Sequence, residues 1–497
     1  MNASQSPPRK LLGLALLNIL VLLGFALASA FIAGCGGGTG YQPPSTQLGG
    51  NTSVTILATS TANDKFVGFG MTLTGLTLKN QSGESVDLIA KPQSAGFIHV
   101  NGQAEPLATV TVPQDVYTSA SISVASASFG CVALDPASGA LVIGTKAYQQ
   151  ISQDAVTVTL PAPITITGTA MGLLLDLEVS RSAQYTTCAA DATFSITPTF
   201  TLAPVTIAAQ PTNSTNGKEI GLLAVVTSVD APGTSFSALY PSSGLVYSIQ
   251  SSGSTAYQGI SGISALAVGM PVNMDTVVQK DGSLLATRVA VQDPDTDQIT
   301  ISSGPLLYVH RYWESGVEYV ATYAYANQIA GKLLVPWNSF TYNDAAFQIS
   351  PQLTNVQNLP FPASFTVSDM VAGQNVSITT HVLKIGPEPV YTPATTIVLQ
   401  PQTINGTVIG TSSEGGFTTY AVQLAPYDLF PALAVQRDQT VQLTSPDTVL
   451  VYADSNTQKL NTNPITVGGV MRFYGLVFND NGTLRMDCAQ INDGVPE

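Results

Sequence analysis

The stretch Ala155-Val156-Thr157-Val158-Thr159-Leu160 alternates apolar and polar side chains, and Ile164-Thr165-Ile166-Thr167 repeats this pattern shortly afterwards. Successive side chains of a β-strand point to opposite faces, so the alternation predicts strands with one buried face. Thr109-Val110-Thr111-Val112 and Ser121-Ile122-Ser123-Val124 have the same period. Gly, Pro, Asn and Asp interrupt these runs, as is typical of turns between short strands. We therefore predict an all-β chain.

The first folded region, residues 53–207, is predicted to be an antiparallel β-sandwich. Its strand and turn patterns follow in this order: Ala62 to Phe66, Met71 to Leu78, Val86 to Ile89, Leu107 to Tyr117 and Leu173 to Ser182. This order is similar to the bacterial lipoprotein domain of unknown function numbered 4382. That family has no established activity, so the resemblance implies a cell-envelope context and no mechanism.

An internal repeat begins at about residue 219. Val268-Gly269-Met270-Pro271 precedes an Asp281-Gly282 turn, and Val467-Gly468-Gly469-Val470 precedes an Asn481-Gly482 turn. Both dipeptides favour tight hairpins, because their backbones adopt the positive φ values that such turns need. A middle copy, Val371-Ala372-Gly373, keeps the glycine strand but has a Pro-rich connection in place of the turn.

This repeat resembles the small β domain of unknown function numbered 5666, best in the first copy and least in the middle one. A closed or nearly closed barrel of five or six strands is expected for each copy, since closure removes exposed strand edges. The whole chain is then a sandwich followed by two or three small barrels. The predicted segments are a signal peptide (1–34), a flexible tether (35–52), the sandwich (53–207), repeat 1 (219–292), a divergent repeat 2 with an aromatic hairpin (296–400) and repeat 3 (403–493).

The N-terminal segment predicts a lipid-anchored protein. Arg9 and Lys10 precede an apolar run from Leu11 to Ala33, which is the layout of a secretory signal. The tetrapeptide Ile32-Ala33-Gly34-Cys35 resembles a bacterial lipobox, which implies cleavage before Cys35 and its acylation, with palmitate among the acyl chains. Glycine rather than aspartate at position 36 implies, by resemblance to lipoprotein sorting rules, the outer membrane. The alternative is an uncleaved anchor helix, because the apolar run is long enough to span a bilayer.

The composition restricts the possible partners. Charged residues make up 10% of the chain, and 17 basic residues stand against 31 acidic ones, for a net charge of −14. Phosphate binding needs clustered lysine and arginine, so we predict no nucleic-acid partner. The expected partners are the membrane, through the N-terminal lipid, and a glycan or another envelope protein. No cofactor is predicted.

Two cysteines are candidates for a disulfide. Cys131 and Cys188 lie in one predicted domain, and export would place them in an oxidising compartment where disulfides persist. Two buried free thiols are the alternative. Cys488 stands alone near the C-terminus and is expected to act as a small buried hydrophobic residue.

Catalytic motifs are absent from the sequence. The three histidines, His99, His310 and His381, fall in different predicted segments, and no nucleophile motif accompanies them. We therefore predict that the chain is not an enzyme, with an envelope enzyme as the second alternative. The alternating acids Asp293, Asp295 and Asp297 are a weak calcium candidate, because the glycine and glutamate that complete such a loop are missing. An acidic linker between domains is the favoured interpretation of these residues.

An aromatic stretch is the strongest candidate for a binding site. Its residues flank a Glu314-Ser315-Gly316 turn and are Tyr308, His310, Tyr312, Trp313, Tyr319 and Trp337. Exposed aromatics on a sheet can stack against sugars or fill a pocket of a partner. Cross-strand packing that stabilises a long hairpin is the favoured interpretation of the same residues. The sequence thus predicts a non-catalytic envelope protein with a binding or structural role and an unknown ligand. A carbohydrate-binding surface lipoprotein is the first alternative.

Overall fold

The computed structural model of the chain describes residues 48–60, 66–98, 100, 104–134, 141–185, 188, 194–205, 218–230, 233–240, 245–291, 298–310, 319–322, 325–326, 338–342, 344–350, 358–382, 392–425, 428–434, 442–459 and 461–494. The described residues from Gly49 onwards belong to one compact unit. The prediction of an all-β chain with small barrels is confirmed. No helix among the residues above has the length and apolarity needed to cross a membrane.

The N-terminal part forms two sheets that share a hydrophobic core, which we call the sandwich. One sheet has the strand order β12-β9-β1-β5, and the other is built on β3-β2-β6-β7 with β4 and β8 at its margins. The strands are β1 (Asn51–Ser60), β2 (Gly68–Asn80), β3 (Ser85–Ile89), β4 (Gln93–Gly96), β5 (Glu105–Pro113), β6 (Val116–Leu134), β7 (Leu141–Val158), β8 (Ile164–Thr165), β9 (Ala170–Leu177), β10 (Ala183–Tyr185), β11 (Phe194–Ile196) and β12 (Phe200–Pro204), with the single-turn helix α1 (Val179–Ser182) after β9.

The sandwich differs from the sequence prediction in one pairing. β1 and β9 run parallel, with Ile56 opposite Leu173, so this sheet is mixed rather than purely antiparallel. Val54, Ile56 and Leu173 are fully buried in the core between the sheets. Parallel neighbours need a long crossover, and here the crossover contains the whole of the second sheet together with β5.

Three domains follow the sandwich, and we call them the first barrel, the middle domain and the third barrel. The first barrel contains β13 (Lys218–Val229), β14 (Ser235–Tyr240), β15 (Leu245–Gln250), β16 (Ala256–Gln258), β17 (Pro271–Val278) and β18 (Leu284–Val291). The middle domain contains β19 (Gln298–His310), β20 (Tyr319–Thr322), β21 (Tyr325–Ala326), β22 (Asn338–Thr341), β23 (Ala346–Ile349), β24 (Asn375–Val382) and β25 (Thr392–Leu399). The third barrel contains β26 (Gln402–Glu414), β27 (Phe417–Leu424), α2 (Leu429–Ala434), β28 (Thr448–Ala453), β29 (Gln458–Lys459), β30 (Val470–Asp480) and β31 (Thr483–Asp493).

All three domains have the same circular order of strand pairings. In the first barrel the order is β13-β14-β15-β18-β17, and β17 pairs with β13 again. The third barrel closes in the same way through β26-β27-β28-β31-β30. The middle domain repeats the order as β19-β20-β22-β25-β24. Each ring contains one parallel pairing at the same place: β15 with β18, β22 with β25 and β28 with β31. The middle copy, which the sequence matches worst, therefore shares the topology of the other two.

The repeat glycine has the same structural role in each copy. Gly269, Gly373 and Gly468 all have positive φ, at 91°, 101° and 88°. Each donates its backbone N–H to the first strand of its own domain, to the carbonyl oxygens of Val226, Leu306 and Val408 respectively. Only glycine adopts this backbone region without a steric cost. The glycine therefore fixes where the strand that follows it, β17, β24 or β30, enters the ring.

Candidate functional site

Most of the residues predicted from the sequence to bind a ligand lie outside the described residues. This applies to Cys35 of the lipobox, to Tyr312, Trp313 and Trp337 of the aromatic stretch, and to the calcium candidates Asp293, Asp295 and Asp297. Among the residues that the structure describes, no three His, Cys, Asp or Glu side chains come together as a possible metal site.

The structure describes the two strands of the aromatic hairpin. β19 and β20 pair antiparallel, with His310 opposite Tyr319 and Tyr308 opposite Ala321. The side chain of Tyr308 is half-buried. The hairpin therefore brings Tyr308, His310 and Tyr319 onto neighbouring positions of one sheet.

Cys131 and Cys188 are joined in a disulfide with an S–S distance of 2.15 Å. The bond links β6 to the segment between β10 and β11, across a sequence separation of 57 residues. On the chain-entropy model a loop of this length contributes about 4 kcal/mol. Nearby, the rings of Phe129 and Phe194 have centroids 3.9 Å apart. Cys488 is a buried free thiol in the third barrel, and burial raises its pKa above the usual range.

The first barrel packs on the sandwich through the end that carries the β17–β18 hairpin. Tyr247 is buried and donates its hydroxyl to the backbone oxygen of Pro106, 3.0 Å away. A Cβ at Gly282 would lie 2.6 Å from the Cβ of Thr55, so this approach requires glycine. Gly172 of β9 donates its N–H to the carbonyl oxygen of Lys280 at 2.7 Å. The Asp-Gly turn thus serves as a contact between domains as well as a hairpin.

The third barrel packs its outer face on the middle domain. The ring of Phe361 has its centroid 5.0 Å from that of Tyr452 and 5.8 Å from that of Phe478. The guanidinium of Arg485 lies 5.4 Å from the Phe361 centroid and contacts the hydroxyl of Tyr452. Burial is the main cause that raises the pKa of Tyr452, and its hydroxyl donates to Glu414 Oε2 at 3.1 Å.

A buried ion pair connects the third barrel to the sandwich. Nη2 of Arg472, on β30, lies 3.3 Å from Oε2 of Glu178, and the arginine side chain is only 6% exposed. The same Glu178 oxygen is 3.2 Å from Nη1 of Arg181. Nε of Arg472 donates to the backbone oxygen of Asp493 at 2.7 Å. Two arginines therefore share one carboxylate at this junction.

In the third barrel, the surface of strands two and three is partly covered by the middle domain. Five-stranded Greek-key barrels such as the oligonucleotide/oligosaccharide-binding fold bind ligands on strands two and three and in the adjoining loops. In the third barrel Phe361 covers Tyr452 on strand three, and Pro360 lies 3.1 Å from where a Cβ on Gly415 of the first hairpin would be. In the first barrel strand three exposes Val246 and Ser248, which are neither aromatic nor cationic.

The sequence did not predict the junction residues. Phe361, Tyr452 and Arg485 stand in segments whose local pattern gives no sign of an inter-domain contact. A weak signal exists in β30, where Arg472 to Phe478 is largely apolar without alternation, as expected of a strand buried on both faces.

The comparisons with known proteins give little further guidance. No protein-family model matches the chain, and a search of curated proteins found no relative. One similar solved structure is a deletion mutant of the single-stranded DNA binding protein from Thermus aquaticus, at 11% identity and a TM-score of 0.15. That match covers 40% of this chain and 95% of the other.

The prediction that nucleic acid is not a partner rested on composition alone, and it is wrong. The finding at odds with it is the match to a DNA-binding protein. The physical reason is that net charge averages over the whole chain, whereas binding depends on the surface of one domain. At this TM-score the match carries no argument for what the chain binds.

Proposed function

We propose that this chain is a non-catalytic, lipid-anchored protein of the bacterial cell envelope, with its folded part acting as a multi-domain scaffold. The observation that carries the scaffold role is the packing between domains. The sandwich shares a hydrophobic core with the first barrel, and the middle domain shares one with the third barrel. The Arg472–Glu178 pair then joins the third barrel to the sandwich. Fixed domains of this kind suit a structural or binding role.

The membrane anchor is proposed from Cys35, with the outer membrane as the location. We expect wild-type chain to incorporate an alkyne analogue of palmitate in a two-membrane bacterium and to sediment with the outer membrane. Cys35→Ala should lose the label and the cleavage before residue 35. The proposal is wrong if the wild-type chain carries no label, or if its mass shows that residues 1–34 are retained as an anchor helix.

Carbohydrate recognition by the aromatic hairpin is a second candidate function. It is favoured by the antiparallel pairing of β19 with β20, which places Tyr308 and His310 in the last positions of β19. Binding of the full chain to a glycan array should depend on the two residues beyond the strand, so that Tyr312→Ala and Trp313→Ala abolish it. An array without signal for the wild-type chain rules this candidate out.

A further inference from the structure

Exposed apolar residues recur beside the repeat glycines. The large hydrophobic residues most exposed in the described part of the chain are Val246, Val268, Ile409 and Val467, at 54%, 70%, 48% and 62%. Val268 and Val467 directly precede the repeat glycines of the first and third barrels. Ile409 follows Val408, the residue that accepts the hydrogen bond from the third glycine. Single exposed hydrophobics need no explanation, but recurrence at one topological position does.

We call this position the corner of each domain. A corner consists of two residues. One follows the first-strand residue that accepts the hydrogen bond of the repeat glycine, and the other precedes that glycine. The corner consists of Ile409 and Val467 in the third barrel. It consists of Leu307 and Ala372 in the middle domain, where both are buried, at 0% and 1% exposure. The same backbone hydrogen bonds define both corners, so the two surfaces are structurally equivalent.

The middle corner is covered by the short helix α2. Leu429 and Leu433, one helical turn apart, pack in one cluster with Leu307 and Ala372 and with Val67 of the sandwich. Phe430 lies over the repeat glycine, because a Cβ at Gly373 would be 2.6 Å from its Cδ1. A Cβ at Gly468 in the third barrel would meet nothing within 4 Å. The corner of the third barrel is therefore exposed, whereas the equivalent corner of the middle domain is buried under α2.

We propose that the third-barrel corner binds a short apolar helix of a partner protein, with leucines four residues apart, seated as α2 is on the middle corner. A second copy of this chain is a poor occupant, since its own α2 is already packed on its own middle corner. The first-barrel corner has Thr227 where the third has Ile409, so it offers less apolar surface. This inference does not depend on the lipid anchor or on glycan binding.

The test uses the helix that the structure shows on the equivalent corner. A fluorescein-labelled peptide of residues 425–436 is titrated with the full chain in lipid nanodiscs, and fluorescence polarisation is recorded. We expect saturable binding that Ile409→Asp combined with Val467→Asp weakens at least about tenfold. A peptide with Leu429→Asp and Leu433→Asp should not bind. Both corner residues are exposed, so the charged variant should keep the wild-type melting temperature.

Val246→Asp is the matched control, because it charges an equally exposed valine away from any corner. It should leave peptide affinity unchanged, and so should Val268→Asp. The proposal is overturned if no saturable binding occurs. It is also overturned if the double variant binds normally, since the peptide then sits elsewhere, for example by displacing α2. Dimerisation of the wild-type chain that the double variant abolishes would make a second copy the occupant and would likewise overturn it.

Discussion

Asp487 is a carboxylic acid buried within the fold of the third barrel. It lies on β31 opposite Leu476 of β30 and beside Tyr452 of β28, and it is 6% exposed. Burial, with a smaller contribution from the charge of Asp454, raises its pKa from 3.8 to about 7. The ionised form therefore disfavours the fold, because a buried charge loses its hydration.

The raised pKa predicts how stability depends on pH. Below the unfolded pKa of 3.8 the acid is protonated in both states and contributes nothing. As the pH rises towards about 7 the unfolded chain ionises first, so the free energy of unfolding falls across this window. Asp487→Asn should remove this dependence. The variant should match the wild type near pH 4 and exceed it at pH 8, by up to about 4 kcal/mol.

Urea denaturation at several pH values measures this difference. Asp454→Asn serves as the control, and it should recover only a small part of the gain because burial is the larger cause. Wild-type and Asp487→Asn curves that stay parallel from pH 4 to pH 8 would show that the carboxylate is not destabilised by the fold.

At the scale of elements, the repeat glycines allow a matched comparison. Gly373→Ala and Gly468→Ala both place a side chain at positive φ, which costs about 1–2 kcal/mol in each case. Only Gly373→Ala also drives a methyl group into the ring of Phe430. We expect it to destabilise the chain by a further 1–3 kcal/mol or so, the usual cost of overpacking. If urea denaturation shows that the two variants lose the same free energy of unfolding, then Phe430 of α2 does not pack against Gly373.

Elements with a local signal were predictable, and those set by distant contacts were not. The alternation at Val156 and Val158 predicts the end of β7, and Asn481-Gly482 predicts the hairpin between β30 and β31. The parallel pairing of β1 with β9 joins segments more than a hundred residues apart, so no local pattern marks it. Helix α2 has six residues including a proline, too few for a helical period to be read.

At the scale of the whole molecule, the Arg472–Glu178 pair links residues 294 positions apart in the chain. It connects the sandwich to the third barrel directly rather than through the intervening domains. Removing one partner of a buried ion pair leaves the other charge uncompensated, which costs more than the pair itself contributes. The two sides differ, since Glu178 without Arg472 keeps Arg181, whereas Arg472 without Glu178 keeps the backbone oxygen of Asp493.

This asymmetry gives the prediction for the linkage between the two domains. Glu178→Ala should destabilise the chain more than Arg472→Met, because it leaves the more buried charge without a carboxylate. The double variant should lose less than the sum of the two single variants, with a coupling of about 1–3 kcal/mol. A double-mutant cycle from urea denaturation measures the coupling. The control cycle uses Arg181→Met in place of Arg472→Met. A smaller coupling is expected there, because Arg181 is 47% exposed. Additive losses for Glu178 and Arg472 would mean that the ion pair does not hold the third barrel to the sandwich.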